Sequence, residues 1–358
     1  MKMKNQFYNE DTRDALSSQR LAQEIAFAPV VFQVSRTLIR TGILERLLQS
    51  EDGMRFEDIA DQAGLSPYAT QCLLESALSI GLCFCRDERF HITRAGVFLL
   101  NDTMARVNLD FIHDVCYQGL FHLETALRTE TPAGLKTFGD WPTIYEALSQ
   151  LPEPVRRSWF AFDHYYSDGA FAAARQAIFA APVQRLLDVG GNTGRFAASC
   201  VAENDAVQVT IMDLAGQLAT MRENTANLPG AERILGHATD LLNPDAPFPA
   251  GFDVIWMSQF LDCFSEAQVV SILRRAQAAM SAETRLFILE PMWDRQRFET
   301  AAYCLNQISL YFTALANGNS KMFHSGDLQR LVDDAGLRVT RIHDGLGLGH
   351  SLLECRLP

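Results

Sequence analysis

The chain has 358 residues, 48% of them apolar and 21% charged, and 31 Lys and Arg against 43 Asp and Glu give it a formal net charge of −12. This is the composition of a soluble globular protein large enough for two domains with substantial cores. It argues against a nucleic-acid binder, which ordinarily presents a basic face, and no apolar run reaches the roughly 18 residues of a membrane span.

The polar start, Met1 to Asp14, has no signal-peptide core. Leu21 to Leu48 carries apolar residues at helical spacing and reads as one or two buried helices. A short helix from Phe56 ends at Gly64. Ser66-Pro67 then supplies an N-cap and a first-turn proline for a second helix, Tyr68 to Ile80. Leu82–Cys85 and Phe90–Thr93 read as a hairpin. Helix, turn, helix and hairpin make a winged-helix module over residues 1–105. Its second helix contains no Lys or Arg, so it cannot release counterions at phosphate, and dimerisation is the expected role. Residues 106–180 read as a helical connector, rich in aromatics at Trp159, Phe160, Phe162, Tyr165, Tyr166 and Phe171. Core packing accounts for most of these, and a connector this aromatic can also wall a pocket.

From residue 181 strand and helix alternate. Strands are expected at 185–189, 208–212, 232–236, 253–257, 285–289, 338–342 and 351–356. This is a doubly wound α/β sheet whose last pair, joined by a short loop, is antiparallel. The first strand ends in Asp188-Val189-Gly190-Gly191-Asn192-Thr193-Gly194, and the second ends in Asp213-Leu214. Glycines permit close backbone approach, and an acid about 20 residues on can hold a ribose diol. A pyrophosphate-binding turn wants G-x-G-x-x-G, and here one of those glycines is missing. An acid at the turn, Asp188, suits ammonium and sulfonium groups. The expected cofactor is therefore S-adenosylmethionine, with S-adenosylhomocysteine as product.

These features together resemble the class I S-adenosylmethionine-dependent methyltransferases, in particular the plant caffeate-type and bacterial secondary-metabolite O-methyltransferases. Ala335-Gly336-Leu337 and Leu346-Gly347-Leu348-Gly349-His350-Ser351-Leu352-Leu353 are as in bacterial members. The resemblance implies that Gly190, Gly191 and Gly194 approach the methionine part and that Asp213 and Leu214 meet the ribose. It also implies that Asp240 and Leu241 meet the adenine, that Met257 and Ser258 lie at the end of the fourth strand, and that Ser167 reaches the cofactor's carboxylate. Where the family commonly reads Leu-His-Asp-Trp, this chain reads Leu261-Asp262-Cys263-Phe264, so Asp262 stands at the position of the base histidine. Of the two acids that flank that histidine, one matches Glu290 and the other is replaced by Ser320.

An aspartate of ordinary pKa is a weak base for a phenol, so Asp262 and Glu290 are expected to form a coupled pair facing the acceptor, with at least one pKa raised. The alternative is that Asp262 only caps the helix after Ser265. His164 is the best substitute base. Phe162, Tyr166, Asn306, Gln307 and Phe312 are candidate acceptor contacts. The expected reaction is methyl transfer to a small hydroxylated aromatic, at oxygen or at a ring carbon ortho to a phenol, in secondary metabolism. Use of the cofactor for hydroxylation, decarboxylation or a pericyclic step is the alternative, and a winged-helix regulator is disfavoured. The acceptor is free or carrier-bound. A homodimer is expected, with no nucleic-acid or membrane partner. None of the eight cysteines forms a C-x-x-C pair and no histidine pair has metal-binding spacing, so no metal is expected and the cytosol is the expected compartment.

Overall fold

The structure, a computed structural model, describes residues 7–358; the first six residues of the polar start lie outside it. The chain falls into two compact units, residues 8–113 and 114–358.

In the first unit, α1 (Ala15–Arg40) starts at Asp14, whose side chain accepts a 2.7 Å hydrogen bond from the Ser17 N–H. α2 (Ile43–Gln49) follows Gly42, which takes the left-handed φ of 72° that lets the chain turn. Leu38, Ile43, Leu44 and Leu47 form a core with Leu74 and Ala77. The expectation of buried helices holds only for this part. The N-terminal half of α1 lies open in the single chain, with Leu16 78% and Phe27 59% exposed. Helical spacing tells which residues share a face, but not what covers it. β1 (Met54–Arg55) leads into α3 (Phe56–Ala63), and α4 (Pro67–Ser79) is capped by Ser66, which accepts from the Ala69 N–H at 3.2 Å. β2 (Cys83–Arg86) and β3 (Arg89–Ile92) form the hairpin through Asp87 and Glu88, both at positive φ. β1 adds beside β3, giving the order β1-β3-β2.

The second unit is built on β4 (Arg185–Val189), β5 (Gln208–Asp213), β6 (Ile234–Ala238), β7 (Val254–Ser258), β8 (Arg285–Glu290), β9 (Arg338–Leu346) and β10 (His350–Arg356). Their order is β6-β5-β4-β7-β8-β10-β9, and β10 is antiparallel to both neighbours. β9 runs four residues beyond the expected Ile342, because His350 pairs with Leu346 and only residues 347–349 are left to turn. β6 begins two residues later than expected, after a short 3-10 turn at Ala231–Arg233.

Alternate residues of each strand face opposite layers. Leu187, Val189, Ile255, Met257, Leu286 and Ile288 pack with the helices at Glu266–Ala279 and Ser325–Asp334. Leu186, Val209, Ile211, Val254 and Trp256 pack with those at Phe171–Ile178 and Arg195–Glu203. Burial on both faces explains the near-continuous apolar strands. Because β4 to β8 are parallel, their carboxyl ends share one edge, where a ligand crevice is expected in such sheets. No described helix is long and apolar enough to cross a membrane.

Candidate active site

The glycine turn is shaped by what lies against it. Gly190 and Gly194 take φ of 72° and 83°, and Asn192, an amide that tolerates the left-handed region, takes 48°. A Cβ on Gly190 would stand 2.3 Å from the Phe260 ring, and one on Gly191 would stand 2.8 Å from the Asp188 carboxylate. Only glycine fits at either position. Asp213, at the end of β5, ties the turn to the sheet: its carboxylate accepts from the Asn192 N–H at 2.9 Å and from the Leu214 N–H at 2.7 Å. Asp240 accepts from the Leu242 N–H at 2.9 Å, closing a turn that presents Leu241.

Two adjoining cavities open at this edge. The smaller, about 80 Å³, is lined by Ser167, Asp188, Gly191 and Ser258. The larger, about 380 Å³, is lined by Asp213, Leu214, Asp240 and Leu241 and extends among aromatic side chains. Asp163, Gly190, Asn192 and Gln259 line both, so the two form one cleft. Asp188 is 2% exposed, and its Oδ2 and the buried Ser258 Oγ have no hydrogen-bond partner among the described residues. Burial, and then the charge of Asp213, push the Asp188 carboxyl up to about 8. Unpaired buried polar atoms at a glycine cradle fit a ligand that brings cationic and hydrogen-bonding groups. Ser167 lines the smaller cavity, its hydroxyl on the Asp168 carboxylate at 3.1 Å. Met257 does not reach either cavity. Its side chain points into the sheet core beside Val189, since alternation along β7 gives the cleft to Ser258.

Asp262 sits in a 3-10 turn, Leu261–Cys263, after β7. It is 2% exposed and lines the larger cavity. It does not cap the following helix. Ser265 does, in a capping box with Gln268. Among the described residues, the one side chain that donates to the Asp262 carboxylate is the Cys263 thiol, at 3.5 Å, and burial raises the Asp262 pKa to about 7.

Glu290 is fully buried at the end of β8 and lines neither cavity, which corrects the expectation that it faces the acceptor. It accepts from the Phe260 and Leu261 N–H groups at 3.1 and 2.9 Å and so holds the Asp262 turn from below. Burial and the charge of Asp262 raise its pKa. On the far side Asn317 donates to the Cys263 carbonyl and is itself paired with Ser320. The residue standing where the family has an acid therefore serves the Asp262 turn through Asn317. Asn317 was not legible in the sequence, because nothing in its neighbourhood marks a contact 54 positions away.

Phe162 and Phe312 line the larger cavity. Tyr166 stands behind Phe162, ring centroids 4.8 Å apart, and does not line it. Asn306 and Gln307, on the helix Glu299–Tyr311, line neither cavity, and of that helix only Tyr311 lines the larger one. His164 lines only the smaller cavity, 3.9 Å from both Asp163 and Asp168, and burial lowers its pKa. It therefore does not face the larger cavity, which Asp262 lines. Its neighbour Asp163 is the acid that lines both, its pKa raised to about 7 by burial and by the charges of Asp262 and Asp168.

Comparison with known proteins fits this geometry. The O-methyltransferase domain profile matches residues 170–338, which carry the glycine turn, Asp213, Asp262 and Glu290. Residues 170–338 therefore carry an O-methyltransferase domain. The chain is an S-adenosylmethionine-dependent methyltransferase. A Dimerisation2-like domain profile matches residues 19–90 of this methyltransferase. The enzyme is 26% identical to demethylspheroidene O-methyltransferase of Cereibacter sphaeroides, over 88% of this chain and 80% of that one. It is 25% identical to aclacinomycin 10-hydroxylase of Streptomyces purpurascens, over 73% of this chain and 69% of that one. Among solved structures it is similar to an O-methyltransferase from neocarzinostatin biosynthesis, in complex with S-adenosylmethionine and 2-hydroxy-5-methyl naphthoic acid. The TM-score is 0.65 at 18% identity, over 91% of this chain and 96% of that one.

Proposed function

We propose that this methyltransferase acts on a small hydroxylated aromatic and that Asp262 accepts the hydroxyl proton. The observation that carries this reading is the Asp262 carboxylate itself: buried, short of donors, and open to an aromatic-walled cavity continuous with the cofactor cleft. Asp213 and Leu214 hold the ribose, Asp240 and Leu241 bracket the adenine, and Asp188, Ser167, Ser258 and the glycine turn receive the methionine part. The cofactor supplies an electrophilic methyl group. The protein's work is to align the acceptor with it, to exclude water and to take one proton, and alignment alone can contribute several kcal/mol. A carboxylate with a pKa near 7 is close to the best base for use at neutral pH, where an ordinary aspartate would be far too weak. Glu290 and Asn317 position it. Loss of the phenolic proton serves attack from oxygen and from an ortho ring carbon alike.

The likeness to a hydroxylase makes transfer itself the step to test. Incubation with methyl-13C-labelled S-adenosylmethionine and a panel of phenols is expected to give S-adenosylhomocysteine and labelled product in equal amounts. The 13C shift separates O-methyl from C-methyl. Oxygenated or decarboxylated product without S-adenosylhomocysteine would refute the reading.

The assembly proposed is a homodimer, supported by the dimerisation-type domain and by the open apolar side chains Leu16, Ile25, Phe27 and Val30 of α1. The cytosol as its compartment belongs to the same proposal, supported by eight cysteines that are all free thiols.

A further inference from the structure

The charge of the acceptor cavity carries a statement about the acceptor. Its lining, among the described residues, includes five acids, Glu146, Asp163, Asp213, Asp240 and Asp262, and no Lys, Arg or His. Asp213 and Asp240 belong to the nucleoside end. The other three face what remains of the space. Glu146 is exposed and stands at the rim, and Asp163 and Asp262 lie deeper, beside Trp159, Phe162 and Tyr311. The cations closest to hand offset them only in part: Arg195 is ion-paired with Asp168 and acts on Asp163 from the smaller cavity, and His164, 3.9 Å from Asp163, lines only that cavity and is held toward its neutral form by burial. Asp262 takes a side-chain hydrogen bond from nothing stronger than a thiol, and Asp163 takes one long bond, 3.4 Å, from the Asn192 side chain. These carboxylates are thus left for a ligand to satisfy. One sulfonium charge on the cofactor does not balance three acids.

We propose that the acceptor is a phenol carrying a protonated amine, its ring between the aromatic walls and its ammonium group on Asp163, while Asp262 takes the phenolic proton. The proposal rests on the methyl-transfer reading given above. An ammonium group here gains an ion pair and the faces of aromatic rings. A carboxylate on the acceptor would meet like charge with no cation to pair it, so the same walls select against acidic phenols.

The test uses three catechols that share one ring: dopamine, 4-methylcatechol and 3,4-dihydroxyphenylacetate. Each is titrated calorimetrically into full-length enzyme loaded with S-adenosylhomocysteine, which lacks the sulfonium charge. The expected order of affinity is amine, neutral, acid, with at least about tenfold between amine and acid. Asp163→Asn is expected to bring that ratio to within about threefold, and Asp163→Glu to restore most of it. Thermal unfolding of each variant, measured first, reports whether it is folded. Equal or tighter binding of the acid, no binding of the amine, or an unchanged ratio in Asp163→Asn would overturn the proposal. Turnover with S-adenosylmethionine is measured in parallel. Amine-selective binding with no methyl transfer to any of the three would count against the reaction and leave the charge selectivity standing, whereas transfer with the acid preferred would overturn the charge selectivity alone.

Discussion

Replacing Asp262 by Asn should change activity and stability in opposite directions. The side chain keeps its size and loses its titration. In the folded protein burial raises the carboxyl pKa from 3.8 to about 7, and each tenfold gain in proton affinity corresponds to about 1.4 kcal/mol. The folded state therefore binds the proton more tightly than the unfolded state. This favourable contribution is fully present below pH 4 and is lost as the pH rises through 7. At pH 8 the native protein holds an ionised carboxylate that is only 2% exposed, at the wall of the cavity. The gap between 3.8 and about 7 sets a ceiling of about 4 kcal/mol on that cost. The Asn amide brings donors of its own that need partners, so the expected gain for cofactor-free Asp262→Asn is about 2–4 kcal/mol at pH 8, shrinking toward zero near pH 4. For a unit of this size that is a rise in Tm of roughly 5–10 °C. Turnover should fall by about 10²–10⁴, the usual worth of a positioned base, and the acid limb of kcat/KM near pH 7 should disappear. Scanning calorimetry across pH, paired with S-adenosylhomocysteine release, measures both. A variant less stable than wild type at pH 8, or one that turns over at the wild-type rate, would refute the reasoning.

Three further outcomes follow from the same contacts. Asn317→Ala removes the donor to the Cys263 carbonyl and frees the Asp262 turn, so kcat should fall about tenfold with little change in S-adenosylmethionine affinity, and the pH limb should move. Asp213→Ala loses the ribose acceptor and the bonds that pin the Asn192 and Leu214 N–H groups. Calorimetry should show S-adenosylhomocysteine binding weakened by about 10–100-fold. Phe27→Asp places a charge on the open face of α1 and should shift sedimentation to the monomer at micromolar concentration; a persisting dimer would show that this face is not the interface.

Much of the fold was legible because its signals are local. Ser66-Pro67 at the start of α4, Gly64 at the end of α3, and the apolar runs of β4, β5, β7 and β8 each encode their element within a few residues. The glycine turn and Asp213 were legible for the same reason, since a strand end, a tight turn and an acid at the next strand end occur at a fixed distance along the chain. The acceptor space was less so. Asn306 and Gln307 lie on the right helix but a turn or more before Tyr311, the residue of that helix that lines the cavity, and periodicity does not tell where along its length a helix meets a cavity. His164 and Asp163 are adjacent in sequence. Only the packed connector decides that the acid, and not the histidine, opens onto both cavities.

The chain by itself determines a strand–turn–acid cofactor site and an aspartate where the related enzymes carry a base histidine, because these are short-range arrangements of residue types. What Asp262 is able to do was decided by tertiary structure. Glu290 reaches its turn at Leu261 from a strand 29 residues on, Asn317 reaches it at Cys263 from a turn 54 residues on, and the packing around the carboxylate strips away most of its water. A carboxylate's basicity depends on its desolvation and its neighbours, and those are set by parts of the chain that sequence proximity does not connect.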